Sequence, residues 1–316
     1  MSTTDSAPIL IIDAQHHEYA TRVRQAYPGR EVHGAASHAA VVDLAAQCPL
    51  WFGQPDQLAA LLRQGCTPRW LQSTWAGITP LLAPDLPRDY RLSRAVGIFG
   101  QVMAEYLLTY LLAHERRVLG RLASQVDQRW DGPLPGTLAG RRLLIVGAGD
   151  IGQRVAQCLA PWGLEVRGIA REPRARVGFE QVTGQDSLAE QAAWADYLFN
   201  LLPDTPDTRD LYDAPLFARM KPDALFINAG RGGAVVEQDL VAALERGHLA
   251  GAVLDVCREE PLPAGHPLWR VPRLLLTGHS AAPTLPGAMA QLFLDNLQRL
   301  ETGQDLRGQV DFRRGY

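Results

Sequence analysis

A glycine-rich turn carries a strong chemical signal in this sequence. It follows the apolar run Leu143–Val146 and fits the pattern G-x-G-x-x-G. Between a strand and a helix, this spacing allows a tight turn, a close approach of the backbone to a pyrophosphate, and helix–strand packing. The helix N-terminus also favours the anion, so the pattern predicts a dinucleotide-binding turn. The residues assigned to the cofactor here are Gly147, Gly149, Asp150, Ile151 and Gly152.

A group of arginines follows about 20 residues later, where NAD-binding turns place a carboxylate that accepts from the ribose 2′-hydroxyl. Here Ala170 and Arg171 occupy that place, and Arg174 and Arg176 follow. A guanidinium cannot accept this hydrogen bond, but it pairs with a 2′-phosphate through two parallel bonds. Arg171 and Arg174 are therefore assigned to the cofactor, and NADP is expected. Solvated surface arginines, with NAD as cofactor, are the alternative.

Five blocks follow one another along the chain: Leu143–Gly152, Leu202–Arg209, Met220–Gly233, Leu254–Pro263 and His266–Ala282. Together they resemble a known family, the D-isomer-specific 2-hydroxyacid dehydrogenases, and more narrowly its glyoxylate/hydroxypyruvate reductase branch. The resemblance covers most of the chain. It implies an enzyme that interconverts a small 2-keto acid and its 2-hydroxy acid with a nicotinamide cofactor.

The resemblance implies a catalytic set of Arg231, Glu260 and His279. Reduction of a 2-keto acid needs a cation for the carboxylate, a proton donor for the developing alkoxide, and a hydride over the carbonyl carbon. Arg231 is expected to supply the cation and to bind the substrate. His279 is expected to donate the proton, while Glu260 accepts its other N–H, fixing the tautomer and favouring the imidazolium. A packed structural histidine is the alternative for His279.

The resemblance places a substrate-binding loop at Trp75, Ala76 and Gly77, where the family offers backbone amides to the substrate carboxylate. An ordinary strand-to-helix turn is the alternative there. The implied reaction is the reduction of glyoxylate or hydroxypyruvate with NADPH. An NAD-linked dehydrogenase for a bulkier D-2-hydroxy acid stays open if the side chains near Trp75 leave a roomy apolar pocket. A non-enzymatic dinucleotide sensor is a third hypothesis, against which the complete catalytic set argues.

Three further cofactor contacts are implied by the resemblance. Asp255 resembles the residue that orients the nicotinamide carboxamide, although a strand-end aspartate bonded to the backbone is the alternative. Pro203 and Thr205 are expected to line the cofactor cleft. The chain departs from the family at Asp150, where arginine or histidine is frequent, and at Gly278, where a proline commonly precedes the catalytic histidine. Neither departure removes a reacting group.

Short apolar runs alternate with amphipathic segments, which is typical of an α/β fold. Runs this continuous indicate strands covered on both faces, hence a mostly parallel, doubly wound sheet. The predicted strands are Ile9–Ile12, Pro49–Phe52, Trp70–Ser73, Leu143–Val146, Val166–Ala170, Tyr197–Leu201, Ala224–Asn228, Ala252–Val256 and Leu274–Thr277. The predicted helices are Leu58–Gln64, Gly100–Gln125, Gln153–Trp162 and Gly287–Thr302.

These elements predict two lobes with the active site in the cleft. A Rossmann-type doubly wound parallel sheet, residues 97–283, is expected to be inserted into a smaller, flavodoxin-like substrate domain of residues 1–96 and 284–316. The long helix Gly100–Gln125 is expected to bridge the lobes or pack on a partner, and it ends before the glycine- and proline-rich loop Asp131–Gly136. We expect a homodimer in which this helix forms much of the interface.

Composition limits the classes of partner. The 316 residues include 31 Lys and Arg against 34 Asp and Glu, a net charge of −3, so no basic field exists for nucleic acid or an anionic membrane. No apolar run reaches the roughly 18 residues of a membrane span, and the N-terminus lacks signal-peptide features, so a cytoplasmic location is expected. The 4 cysteines lack C-x-x-C spacing, and no metal site is expected.

Overall fold

The computed structural model describes residues 7–313 and 315. The chain forms two compact units: the first is Met1–Ile98 with Thr284–Tyr316, and the second is Phe99–Pro283. Each unit is built on one parallel sheet flanked by helices, so the predicted α/β fold is confirmed. Within the described ranges, none of the helices has the length and apolar character needed to cross a membrane.

The sheet of the first unit contains the five strands β1 (Ile9–Ile12), β2 (Val32–Ala35), β3 (Leu50–Gly53), β4 (Trp70–Ser73) and β5 (Arg91–Ser93). All are parallel and lie in the order β2-β1-β3-β4-β5, which is the flavodoxin-like order. The helices of this unit are α1 (His16–Ala26), α2 (Val42–Ala45), α3 (Pro55–Arg63) and α10 (Pro286–Glu301).

The last helix completes the core of the first unit. Phe293 of α10 stacks on Phe52 with ring centroids 4.4 Å apart and on Trp70 at 5.2 Å. All three rings are buried. Aromatic burial of this size dominates the energetics of a small core. The C-terminal helix therefore packs on strands from the N-terminal part of the same unit.

The sheet of the second unit contains the seven strands β6 (Arg142–Val146), β7 (Glu165–Ile169), β8 (Gln181–Thr183), β9 (Tyr197–Asn200), β10 (Leu225–Asn228), β11 (Gly251–Leu254) and β12 (Leu274–Leu276). All are parallel and lie in the order β12-β11-β10-β9-β6-β7-β8. The strand order reverses between β6 and β9, as in the Rossmann fold. The predicted Rossmann-type sheet is thus confirmed.

Alternate residues of β6 pack into two different core layers, because successive side chains of a strand point to opposite faces. The helices of this unit are α4 (Gly100–Glu115), α5 (Val118–Val126), α6 (Asp150–Leu159), α7 (Leu188–Trp194), α8 (Ala214–Phe217) and α9 (Glu237–Glu245). Leu143 and Ile145 pack with α4 and α6, whereas Leu144 and Val146 pack with α7, α8 and α9. The sheet is therefore covered on both faces, as expected.

The prediction of one helix over Gly100–Gln125 was wrong. The helix stops at Glu115 and a second one starts at Val118, because Arg117 adopts a left-handed conformation with φ 56°. The buried Glu115 carboxylate fixes this end: it accepts from the Tyr197 hydroxyl and pairs with Arg141 Nε at 3.0 Å. The apolar periodicity continues through residues 116 and 117, so the sequence pattern did not indicate the break between the two helices.

Candidate active site

The glycine turn lies at the point where the strand order of the second unit reverses. Gly147 directly follows β6 and has φ +110°, a conformation that favours glycine. A Cβ on Gly152 would lie 2.3 Å from the Gly147 carbonyl oxygen, so this position packs the helix onto the turn. A Cβ on Gly149 would meet nothing within 4 Å, which leaves room in front of the backbone. These three environments fit a bound pyrophosphate.

Helix α6 begins directly after Gly149, at Asp150 rather than at the predicted Gln153. The exposed Asp150 side chain occupies the first turn, where the helix dipole favours a carboxylate. Ile151 is half-buried beside it. The acidic residue is therefore explained by the helix terminus that carries it.

The arginine segment, residues 171–180, leaves the end of β7 and turns back onto α6. Arg171 and Arg174 are both exposed. The segment is anchored further on by Gly178, which has φ +92° and approaches α6 so closely that a Cβ would lie 2.8 Å from Gln157 N. Arg171 thus lies two residues beyond Ile169, the last residue of β7, with its neighbours held against the helix of the glycine turn.

Two buried asparagines join the ends of β9 and β10. Asn200 Nδ2 donates to Asn228 Oδ1 at 2.8 Å, and both side chains are fully buried. Asn200 Oδ1 accepts from Leu202 N at 3.1 Å and from the Tyr212 hydroxyl at 3.0 Å. The sequence interpretation missed both asparagines. Both asparagines lie at or next to the end of a predicted strand, and this position was the feature of the sequence that could have indicated them. Their contact depends on the register of β9 with β10, which pairs Asn200 with Asn228.

Arg231 follows β10 and is held through its backbone. Asn228 Nδ2 donates to the Arg231 carbonyl at 3.1 Å, and Asn228 Oδ1 accepts from Gly230 N at 3.1 Å. Burial lowers the pKa of the Arg231 guanidinium below its ordinary value, while the carboxylates of Glu260 and Asp204 oppose this shift. Because arginine has so high an ordinary pKa, the side chain stays cationic at neutral pH. The site therefore combines a fixed, partly desolvated cation with a nearby carboxylate.

His279 and Glu260 are in direct contact. His279 Nδ1 lies 2.6 Å from Glu260 Oε2, and Glu260 Oε1 accepts from Cys257 N at 2.8 Å. The ring is half exposed, with 52 % of its side-chain surface accessible. Both Gly278 and His279 adopt left-handed backbone conformations, with φ 68° and φ 55°. Since Nδ1 faces the carboxylate, Nε2 is the ring nitrogen left to face a substrate.

Asp255 follows β11 and organises the loop that carries His279. Its Oδ1 accepts from Thr277 Oγ1 at 2.6 Å, from Ser280 N at 2.8 Å and from Ala281 N at 3.1 Å. Its carbonyl oxygen accepts from His279 N at 2.6 Å. The carboxylate is buried and hydrogen-bonded within the protein, which agrees with the alternative of a strand-end aspartate bonded to the backbone. A contact with the nicotinamide carboxamide stays a prediction.

The segment after β9 forms a compact turn around Thr208. The Thr208 hydroxyl donates to the Pro203 carbonyl at 2.7 Å, and its Oγ1 accepts from Thr205 N at 2.9 Å. Asp204 pairs with Arg209 Nε at 3.1 Å. Pro203 is exposed and Thr205 half-buried. The sequence interpretation named Pro203 and Thr205 but missed the buried Thr208, which sets their geometry.

The proposed substrate loop belongs to the first unit and follows β4. Trp75 is 39 % exposed, and its backbone N–H donates to Ser73 Oγ at 3.1 Å. Within the described ranges, the N–H groups of Ala76 and Gly77 donate to no protein group. Two unbonded amides in succession suit a carboxylate ligand. Their role in substrate binding stays a prediction.

The second unit thus holds a cation at Arg231 and a carboxylate–imidazole pair at Glu260 and His279, close enough for Glu260 to act electrostatically on Arg231. Such a set can hold a carboxylate and exchange a proton with an oxygen. Residues 108–281 match the family model described as D-isomer specific 2-hydroxyacid dehydrogenase, NAD binding domain. The chain belongs to the D-isomer-specific 2-hydroxyacid dehydrogenase family. It is therefore a nicotinamide-dependent oxidoreductase by family, as predicted.

Individual members of the family are similar over most of the chain. A protein of Photorhabdus laumondii named glyoxylate/hydroxypyruvate reductase A is 38% identical over 217 residues, 69% of either chain. A solved family structure from Aeromonas salmonicida is 36% identical with a TM-score of 0.91, covering 97% of this chain and 99% of its own. Another, from Xanthobacter autotrophicus in complex with NADPH and MES, is 32% identical with a TM-score of 0.89, covering 98% and 100%.

Proposed function

We propose that this chain reduces a small 2-keto acid, glyoxylate or hydroxypyruvate, to the 2-hydroxy acid with NADPH. The observation that carries the proposal is the contact of 2.6 Å between His279 Nδ1 and Glu260 Oε2, with the cationic Arg231 near the same carboxylate. The similarity to a protein named glyoxylate/hydroxypyruvate reductase A supports the choice of substrate.

The catalytic roles follow from the charges of the three groups. Arg231 binds the carboxylate of the keto acid, because a planar guanidinium forms two parallel bonds to it. His279 Nε2 donates a proton to the carbonyl oxygen as that oxygen becomes an alkoxide. Glu260 accepts from Nδ1–H, so the ring presents Nε2 toward the substrate. In the reverse direction the same nitrogen accepts the proton of the hydroxy acid.

The cofactor roles rest on the fit of the glycine turn to a pyrophosphate. Gly147, Gly149 and Gly152 provide the bend, the open space and the close helix contact that this ligand requires. When bound, the nicotinamide supplies the hydride. The exposed guanidinium groups of Arg171 and Arg174 provide the charge for a 2′-phosphate, and the NADPH in the Xanthobacter autotrophicus structure agrees with this choice.

The proposal includes a homodimer formed through α5. Val118, Leu119, Leu122 and Val126 are all exposed on this short helix, with Val126 at 83 %. Adjacent exposed apolar side chains on one face are a feature of interfaces rather than of monomer surfaces. A second copy of the chain is the proposed occupant, related by a two-fold axis. A cytoplasmic location also stays a proposal.

Purified protein tests the function directly. We expect NADPH oxidation with glyoxylate and hydroxypyruvate, slower turnover with phenylpyruvate, and weak activity with NADH. The variant His279→Ala is the matched control and loses most of the rate, because general acid catalysis commonly contributes about 10²- to 10⁴-fold. Absence of keto acid reduction by the wild-type protein, with cofactor binding intact, would overturn the proposal.

A further inference from the structure

Arg258 joins three segments of the second unit through one side chain. Its Nε donates to the Val235 carbonyl at 2.6 Å, and its Nη2 donates to the Gly233 carbonyl at 3.3 Å and to the Asp210 carboxylate. Its backbone N–H donates to Glu237 Oε1 at 2.9 Å. The planar fork of a guanidinium suits this task, because its donors diverge in fixed directions.

The segments that Arg258 joins are already in close contact through their backbones. Gly232 approaches Cys257 so closely that a Cβ would lie 1.9 Å from the Cys257 carbonyl oxygen. Gly232 directly follows Arg231, and Cys257 N donates to Glu260 Oε1 at 2.8 Å. The peptide that precedes Arg258 therefore links the position of the substrate cation to that of the carboxylate beside His279.

We propose that Arg258 is a positioning residue that holds Glu260 in contact with His279. This inference rests on the proposed function, in which that contact orients the proton donor. Arg258 acts through the loop of residues 257–260, because its own guanidinium is occupied by Val235, Gly233 and Asp210.

Loss of the guanidinium affects these partners unequally. The Gly233 carbonyl keeps the hydrogen bond from Asp210 N at 3.0 Å, whereas the Val235 carbonyl loses the donor that Arg258 supplies. The loop of residues 257–260 then gains freedom, and Glu260 spends less time at Nδ1 of the ring. The charged groups around His279 are Glu260, Asp255, which accepts from the His279 backbone, and Arg231, which lies near Glu260. Among them, Glu260 alone contacts the ring in the described part of the chain.

The variant Arg258→Met keeps the length of the side chain and removes its donors. We expect kcat for keto acid reduction to fall between about tenfold and about 10²-fold, since a misplacement of about 1 Å can cost about 10²-fold. We also expect the falling limb of the pH profile to move to lower pH, with KM for NADPH unchanged. The matched control is Arg63→Met, which breaks an exposed pair with Asp85 at 2.7 Å in the first unit. It should change none of these quantities.

Double variants and a ring titration separate positioning from general loss of stability. If Arg258 acts through Glu260, then Arg258→Met in a Glu260→Gln background adds no further shift of the pH profile. The His279 ring is followed by long-range ¹H–¹⁵N spectra, assigned by the peaks lost in His279→Gln. Arg258→Met should lower its titration midpoint, and Arg258→Lys should restore part of the change.

The outcomes distinguish this inference from the proposed function. A wild-type ring midpoint in Arg258→Met, or full additivity with Glu260→Gln, overturns the positioning role even when the enzyme is active. A wild-type protein without keto acid reduction overturns the proposed function, yet the ring titration still decides whether Arg258 controls the contact. A fall in melting temperature alone, with an unchanged midpoint, also contradicts the inference.

Discussion

The carboxylate of Glu260 lies 2.6 Å from Nδ1 of His279. Nδ1 is therefore hydrogen-bonded within the protein, and Nε2 is the ring nitrogen left for a substrate. The carboxylate is itself restrained on its second oxygen by the backbone of Cys257. In its proposed role as proton donor, the His279 ring depends on the charge of Glu260 as much as on its own chemistry. The pair therefore offers a direct test of roles.

Replacement of Glu260 by Gln keeps the shape of the side chain and removes its charge. Reduction requires the imidazolium, so kcat/KM is highest at low pH and falls as the ring loses its proton. Without the carboxylate, the imidazolium is less stable, and the falling limb should move to lower pH with activity partly retained in acid. The pH dependence of kcat/KM measures this. A limb that stays in place or moves to higher pH contradicts the pairing.

Replacement of Arg171 and Arg174 by Ala should reverse or abolish a preference for NADPH over NADH. Hydrogen bonds to charged groups contribute about 1.5 to 3 kcal/mol, so kcat/KM for NADPH should fall at least about tenfold. The value for NADH should change little, since its 2′-hydroxyl offers no charge. The control is Arg219→Ala, an exposed arginine elsewhere in the second unit. Equal losses with both cofactors would refute the 2′-phosphate assignment.

The glycine turn allows a test in which two similar substitutions have opposite consequences. Gly149→Ala places a methyl group in open space, so the melting temperature should stay near that of the wild type while KM for NADPH rises. Gly152→Ala forces a methyl group to 2.3 Å from the Gly147 carbonyl oxygen and should lower the melting temperature. Thermal unfolding and cofactor titration measure both. A destabilised Gly149→Ala with normal cofactor affinity would contradict the assignment.

The exposed face of α5 predicts the oligomeric state. Light scattering at micromolar concentration should give twice the 34.6 kDa mass of one chain. The double variant Leu119→Glu with Leu122→Glu places charges on the apolar face and should yield a monomer, because buried unpaired carboxylates are costly. Val177→Glu, at another exposed apolar residue, is the control and should leave the dimer intact. A monomeric wild-type protein would remove the interface proposal and leave the catalytic proposal unaffected.

Much of the sheet architecture was accessible from the sequence, because its central strands are continuous apolar runs. The strands β1 and β4 match their predictions residue for residue, and β10 starts one residue after the predicted Ala224. The edge strands β2, β5 and β8 were missed. Each is short, and Val32–Ala35 contains a histidine and a glycine, so none of them resembles a buried run. Their pairing depends on neighbours that only the fold supplies.

The candidate site was accessible to different degrees. The glycine turn could be predicted from the spacing of its glycines, because that spacing depends on local backbone geometry. His279, Glu260 and Arg231 were identified through the family resemblance. Arg258 and the asparagines gave no comparable signal, because their partners come from other strands and loops. Asn200 and Asn228 meet only through the register of β9 with β10. Long-range side-chain pairs of this kind require tertiary structure.

The fit of Gly178 against α6 sets a limit on engineering by segment exchange. Its left-handed backbone and its approach to Gln157 leave no room for a side chain. A transplanted loop that replaces Arg171 and Arg174 must therefore carry glycine at this position, or helix α6 will be displaced. Designers who exchange only the residues before Gly178 retain the anchor and change only the proposed nucleotide contacts.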